Sequence, residues 1–453
     1  MGTSDRYKSP SGPKGKMFTG HLAEFQSDPL AFLSQLSKEH GPVASFRLGP
    51  FQRVKLVSDP ELIKEILVTK QKSFIKSRDL RVLKSLVGEG LLTSEKEIHM
   101  RQRRLIQPAF KKSHIAGYAQ DMIDTSISYL ADWEHGQTRM VSEDMMNITL
   151  GIISKTMFGM EFNEGYERIG EPLEKCMKLA VRRMRSAVPL PLWLPTKKNM
   201  EFKEAVKTLD EVLFNIIEGR REDSTEHHDL LGILMAARDE SDGQGMTDSQ
   251  LRDELMTIFL AGHETTANAL AWTLFLLSQN PEAEKKLHQE LDQVIGNRNP
   301  NPEDFMKLSY TQNIIWESLR LYPPAYVIGR DAIEDVVIGD YLVKKGEMVM
   351  MSQYVMHRDP AYFEQPESFL PERFENNYMK TLPPYAFFPF GGGPRVCIGN
   401  HFALMEAVLV LACIARRWRV RLAPGHHTVR PQPLITMRPK QGLLMVIEEH
   451  KNL

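Results

Sequence analysis

One cysteine carries the first chemical signal. It lies in Phe390-Gly-Gly-Gly-Pro-Arg-Val-Cys397-Ile-Gly399, a tight glycine-rich loop, and an apolar helical run starts just after it. Glycine tolerates dihedrals that other residues avoid, so such a loop can bring backbone N–H groups close to the sulfur. Those donors and the following helix N-terminus favour a thiolate over a thiol. A thiolate held this way is a good axial ligand for haem iron, and it pushes electron density toward bound oxygen. Two blander readings stand beside it. One is a free cysteine in a turn. The other is half of a zinc site with His401, for which the chain offers no Cys-x-x-Cys.

A second constellation sits inside an apolar helical pattern. Thr247-Asp-Ser-Gln250 fits a capping box, and the helix it opens is predicted to run to about Ser278. In its middle stands Ala261-Gly-His-Glu-Thr-Thr266. A Gly costs a helix roughly 1 kcal/mol relative to Ala. A carboxylate and two hydroxyls in an apolar run cost more unless they find partners or water. Local inconsistency of this kind often marks function. Leu255–Leu277 has the length of a membrane span, but a central glutamate costs about 2.5–3.5 kcal/mol on insertion scales. A plain buried helix with internally satisfied polar groups is the other alternative.

Two further pairs are weak alone. Glu317-Ser-Leu-Arg320 puts a carboxylate and a guanidinium three residues apart on one helix face, and Pro371-Glu-Arg-Phe374 follows downstream. His99-Met-Arg-Gln-Arg103 places two cationic groups one helical turn apart.

Together these segments resemble the cytochrome P-450 superfamily, through four motifs in family order. The loop pattern F-x-x-G-x-R-x-C-x-G is filled by Phe390, Gly393, Arg395, Cys397 and Gly399, with Gly391 inside it. The resemblance implies haem b, with Cys397 as the axial iron ligand. It implies that Ala261 and Gly262 leave room for oxygen over the distal face of the haem. Thr265 would hydrogen-bond the bound oxygen and a water, and Glu264 would help deliver protons. Glu317, Arg320 and Arg373 match a buried structural lock that positions the cysteine loop. Arg395, Arg330, His99 and Arg103 match donors to the haem propionates. His99 departs from the commoner tryptophan of that motif.

The substrate side is less legible. Gly90-Leu-Leu-Thr93 resembles the loop that closes over the haem, so Leu92 is expected to wall the pocket. Ala325, Tyr326, Val327, Ile328, Leu434 and Ile435 are further candidates, with Thr436 beside them. Mostly apolar walls imply an apolar substrate, with core packing as the competing reading for each. Arg53 and Lys55, on an early strand, are the places where an anchor for a substrate carboxylate could sit. The run from Arg101 to Arg104 and on to Lys111-Lys112 is basic. It reads either as a solvated helix face or as a docking surface for an acidic redox partner, where charge would raise association rates.

The elements that must position these groups read as mainly helical. Leu22 to about His40 looks helical, and Pro42–Val57 shows strand character. Asp59-Pro60 opens another helix. Ser113 to about Ile295 is mostly helical, interrupted at Pro189-Leu-Pro191 and Pro195, with polar loops at Glu222–His228 and Asp239–Gly245. Strand-rich patches return at Ala332–Met351 and Val429–Ile447. The fold class is therefore mainly α with a small β region. By resemblance it is the cytochrome P-450 fold, with a long central helix over the haem. Residues 1–16 read as a flexible lead-in, and 17–453 as one domain.

Composition bounds the rest. The chain has 453 residues, and its 42% hydrophobic and 25% charged content is ordinary for a globular protein. A net charge of -1 gives no global bias toward nucleic acid or anionic membranes. Three scattered cysteines make no disulfide framework, which fits a reducing, cytoplasmic compartment. The N-terminus shows neither a membrane anchor nor a signal peptide. Only about 56 residues follow Cys397, and no flavin or nicotinamide segment is seen.

The expectation is a monooxygenase that inserts one atom of O2 into a C–H bond of a fatty acid, terpenoid or steroid. Electrons would come from a separate ferredoxin or flavodoxin with its reductase. A peroxide-driven peroxygenase is the rival within the fold, but such relatives usually lack the acid–alcohol pair. A non-catalytic haem sensor or electron carrier is the rival from another class, and it needs neither that pair nor an oxygen-sized gap.

Overall fold

The computed structural model describes residues 7–161, 169–184, 191–225, 227, 229–426 and 428–450. The expected lead-in at 1–6, the break at Pro189-Leu190 and two positions of the loop at 222–228 lie outside them. The chain packs as two compact units. The first is Met1–Leu80 with Trp316–Cys397 and Pro431–Arg438. The second is Arg81–Ile315 with Ile398–Arg430 and Pro439–Leu453. The fold is mainly α with small sheets, as the sequence predicts.

The first unit is built on a five-stranded sheet. Its order is Val43–Leu48, Gln52–Val57, Met348–Met351, Ile328–Ala332, Phe74–Lys76. Only Gln52–Val57 and Met348–Met351 run parallel. Met348–Met351 is buried throughout, as a central strand covered on both faces must be. Strand alternation divides the covering layers. Val57, Val349 and Met351 pack on Ile63, Ile66 and Leu67, whereas Leu56, Met348 and Met350 pack on Leu33 and Leu36.

Local signals account for the helix starts. The segment expected to be helical from Leu22 forms two helices, Leu22–Ser27 and Pro29–His40. Asp28 caps the second by accepting from the Ala31 N–H, and Pro29 takes the first turn. Asp59 and Pro60 repeat the device, with Asp59 accepting from the Leu62 N–H at 3.0 Å. The expected flexible lead-in is hydrogen-bonded from Lys8 onward. Lys8 N–H donates to Asp340 O at 2.9 Å, and Ser45 N–H donates to Ser11 O at 2.7 Å.

The second unit is organised around the helix Asp248–Gln279, 32 residues long. Thr247 and Gln250 form the predicted capping box. At 1.5 Å per residue the helix spans about 48 Å. The helices Val141–Phe158, Lys197–Glu222 and Asn400–Ala415 pack against it. A three-stranded sheet of Thr138–Met140, Leu444–Glu449 and Trp418–Leu422 completes the unit. Among the described residues no helix is long and apolar enough to cross a membrane.

Candidate active site

In the first unit the site begins with a buried ion pair. Arg320 uses all five N–H donors of its guanidinium. Nε and Nη2 donate to Glu317 at 2.7 and 2.8 Å, Nη1 to His357 O and Pro366 O at 2.9 and 2.6 Å, and Nη2 also to Ser368 O at 2.9 Å. Glu317 further accepts the Leu370 N–H at 2.9 Å and lies 3.5 Å from Arg373. Both Glu317 and Arg320 are fully buried. The structure thus brings together the three residues predicted as a lock.

The lock reaches the cysteine loop through residues the sequence did not flag. His357 is buried, and burial followed by the Arg320 charge holds its imidazole well below the ordinary pKa, so it stays neutral. Its Nε2 accepts the Phe388 N–H at 3.0 Å. Phe388 O then accepts the Gly391 N–H, and Phe390 O accepts the Cys397 N–H, each at 2.9 Å. Trp316, beside Glu317 in sequence, meets Phe390 edge-on at 6.0 Å and Phe387 at 6.1 Å. An isolated histidine and tryptophan carry no spacing signal that would have found them.

Glycine is required in the loop itself. Gly391 and Gly393 have φ of +72° and +66°, and a Cβ on Gly393 would overlap the Leu67 carbonyl. A Cβ on Gly391 would sit 3.5 Å from the Ile328 side chain, so the loop lies against that wall residue. Cys397 is exposed, whereas burial pushes the thiols of Cys176 and Cys413 up to about 12. Arg395 and Arg330 are half-buried in the same unit.

The unit also gathers most of the expected pocket residues. Met437 N–H donates to Pro324 O at 2.9 Å, which draws the turn of Leu434 and Ile435 to Ala325. Ala325 is exposed, and Val327, Ile328, Leu434 and Ile435 are half-buried. Tyr326 is buried. It is a core residue packed with Leu30 and Met437, and its hydroxyl donates to Leu434 O at 3.1 Å. It positions the turn. Lys55 is buried and paired with Glu347, which withdraws it as an anchor for a carboxylate; Arg53 is exposed.

In the second unit the long helix runs unbroken through its polar segment. Three successive carbonyls take an extra hydroxyl donor: Thr265 on Ala261 O at 2.8 Å, Thr266 on Gly262 O at 3.3 Å and Thr149 on His263 O at 3.1 Å. His263 places Nδ1 2.9 Å from Phe259 O. These bonds satisfy the hydroxyls within the helix packing. Gly262 allows the close approach of Ile153, which a Cβ would meet at 3.1 Å. Residues 254–260 and 266–274 are all buried, yet Ala261 is exposed and Gly262 to Thr265 are half-exposed. The opening falls on the predicted acid and alcohol, Glu264 and Thr265.

His99 and Arg103 share a face of the helix Lys96–Ile106, His99 buried and Arg103 half-buried. Leu92 is half-buried on the preceding loop, and Gly399 caps the helix after the cysteine. The basic run is partly neutralised. Arg104 lies 3.0 Å from the buried Asp239, and Arg101 lies 3.5 and 3.6 Å from Asp239 and Asp242.

Sequence comparison now decides the family. The family model described as cytochrome P450 matches residues 10–446. The chain belongs to the cytochrome P450 family. The cyclooctatin synthase of Streptomyces melanosporofaciens is 36% identical over 96% of this chain and 95% of its own length. The cyclooctat-9-en-7-ol 5-monooxygenase of the same organism is 35% identical over 92% of this chain and 90% of its own. The pentalenene oxygenase of Streptomyces avermitilis is 31% identical over 94% of each. This cytochrome P450 is accordingly an oxidoreductase of the monooxygenase type, and the family implies a haem-thiolate cofactor, O2 and a redox partner.

The residues present fit that cofactor. The first unit offers one exposed thiol, two half-buried arginines and a set of half-buried apolar side chains, and the second offers a helix opened at its acid–alcohol pair. Those chemistries match a soft iron ligand, donors for anionic propionates, a lining for a flat apolar ring and a proton path.

Behind the opening, Glu406 of the helix Asn400–Ala415 is hydrogen-bonded to Thr266 and fully buried. Burial pushes its carboxyl from 4.5 up to about 8, so it is neutral at physiological pH. A carboxyl whose folded pKa is raised is deprotonated more readily when unfolded. Its contribution to stability is therefore complete below about 4.5, declines as pH rises and levels off above about 8. Denaturant unfolding across that window should show wild-type stability falling relative to Glu406→Gln. Parallel curves would contradict the buried neutral acid.

Proposed function

We propose that this cytochrome P450 hydroxylates an apolar terpenoid in the cytoplasm, drawing electrons from a separate ferredoxin or flavodoxin with its reductase. The observation that carries the monooxygenase chemistry is the opening at Ala261–Thr265 in an otherwise buried helix. An electron carrier has no use for an acid next to an alcohol at such a gap. Relatives named as a cyclooctat-9-en-7-ol 5-monooxygenase and a pentalenene oxygenase favour a terpenoid over the fatty acid and steroid. The buried pairing of Lys55 supports this, since it withdraws one anchor a fatty-acid carboxylate would need.

Haem b, when bound, supplies oxygen activation and C–H oxidation. Cys397 would ligate its iron, and Arg395, Arg330, His99 and Arg103 would pair with its propionates. Phe390, Gly391 and Gly399 shape the ligand loop. Glu264 would carry protons inward from solvent, and Thr265 would hold a water and pass the proton on. Ala261 and Gly262 keep that side of the helix free of bulk. Leu92, Ala325, Val327, Ile328, Leu434 and Ile435 would exclude water and hold an apolar skeleton by burial, worth about 25 cal/mol per Å².

The test is a spectral titration of the purified ferric holoprotein with polycyclic terpenes and their alcohols, fatty acids of graded length, and steroids. A ligand that displaces iron-bound water shifts the Soret band toward high spin. The expected result is a saturable shift with a polycyclic terpene and its conversion to an alcohol once ferredoxin, reductase and NADPH are added. A shift confined to fatty acids, graded by chain length, would contradict the terpenoid assignment.

A further inference from the structure

The loop that carries Leu92 is held by two acids of the long helix. The Glu89 N–H donates to Asp253 Oδ2 at 2.8 Å, and the Leu91 N–H donates to Glu254 Oε2 at 2.9 Å. The loop also closes on itself. Thr93 Oγ1 donates to Gly88 O at 2.6 Å, and the N–H groups of Thr93 and Ser94 both reach Gly90 O at 2.9 Å. Gln102 donates to Glu89 O at 2.6 Å.

Glycine makes the approach possible. Gly88 has φ of +59°, and a Cβ there would overlap the Asp253 carboxylate. A Cβ on Gly90 would overlap Thr257 Oγ1. The acids therefore grip backbone N–H groups, not side chains, and fix the path of the loop whatever residue stands at 92. Asp253, Thr257 and Ala261 follow one another at four-residue spacing. The gripped loop thus lies along the side of the helix that opens at Ala261.

Asp253 is also held from behind. Arg252 Nη1 donates to it at 2.9 Å, while Arg252 Nε donates to Asp210, on the helix Lys197–Glu222, at 2.6 Å. Arg252 is 7% exposed and Glu254 fully buried. One ionic chain therefore runs from the helix Lys197–Glu222 through Arg252 and Asp253 to the loop.

We propose that Asp253 and Glu254 are positioning residues that determine substrate fit by clamping residues 88–94, and that Arg252 ties the clamp to the helix Lys197–Glu222. The substrate part of this rests on reading Leu92 as a pocket wall; the clamp itself does not. Removing either acceptor leaves a backbone N–H of the loop without its partner, so losing either should release the loop selectively.

The test is amide hydrogen exchange on the substrate-free holoprotein, followed by the spectral titration. In Glu254→Ala and Asp253→Ala, a peptide covering 88–94 should exchange about tenfold faster or more. A peptide from Val141–Phe158 should keep its wild-type rate. Glu254→Gln should restore protection, because an amide oxygen still accepts from the Leu91 N–H. Apparent substrate dissociation constants should rise about tenfold, with little change in kcat. Unchanged exchange at 88–94, or acceleration spread evenly over the chain, overturns the clamp. Faster exchange with unaltered affinity for every ligand overturns the role in substrate fit and the reading of Leu92. If Glu254→Ala fails to fold, the partly exposed Asp253→Ala carries the same comparison.

Discussion

Glu317→Ala is expected to yield almost no folded, haem-loaded protein. Removing the carboxylate leaves Arg320 and Arg373 without their shared counter-ion in a site closed to solvent. Breaking a buried pair from one side typically costs about 3–5 kcal/mol. That is a large share of a total stability of about 5–15 kcal/mol. The damage also has a direction. The Leu370 N–H loses its acceptor, and Arg320 no longer holds His357 O in register. His357 in turn aligns Phe388 at the start of the cysteine loop. Thermal unfolding and the haem-to-protein absorbance ratio are the measurements. Arg373→Ala should be milder, because Arg320 still neutralises Glu317. Normal haem content in Glu317→Ala would remove the lock from the account.

Cys397→Ser should abolish monooxygenation while sparing the fold. Serine is close to cysteine in size and keeps the backbone N–H that donates to Phe390 O at 2.9 Å, so the loop can keep its path. A serine hydroxyl does not ionise at working pH and cannot donate electron density as a thiolate does. Unfolding curves close to wild type, together with loss of product formation, are the expected pair of results. Activity retained in Cys397→Ser would mean that another group ligates the iron.

What could be read from the sequence was what local chain order encodes. The cysteine loop is contiguous, so its glycines, Arg395 and Cys397 were visible as one pattern. The capping box at Thr247 and the polar segment at Ala261–Thr266 are also local, and both lie where the helix places them. The division of Leu22–His40 into two helices was locally encoded as well. Asp28-Pro29 is the same cap as Asp59-Pro60, and only the second was recognised.

The remainder depends on contacts between distant positions. Lys55 meets Glu347 292 residues away, and Arg104 meets Asp239 135 residues away. No local pattern says that either cation is neutralised. His357 and Trp316 matter because of what folding brings to them. Asp253 and Glu254 lie in the second turn of a helix and carry no local signal that the loop at Gly88 donates to them. Tyr326 sits among the residues expected to line a pocket, and only the fold shows its hydroxyl reaching the Leu434 carbonyl with the ring in the core.

Cys397 is proposed as the thiolate ligand to haem iron. The most direct test is the difference spectrum of the reduced holoprotein with and without carbon monoxide, wild type beside Cys397→Ser. A strongly red-shifted Soret band in the wild type that vanishes in the variant is the result this account predicts. A wild-type band at the shorter wavelength of a histidine-ligated haem, unchanged in the variant, would contradict it.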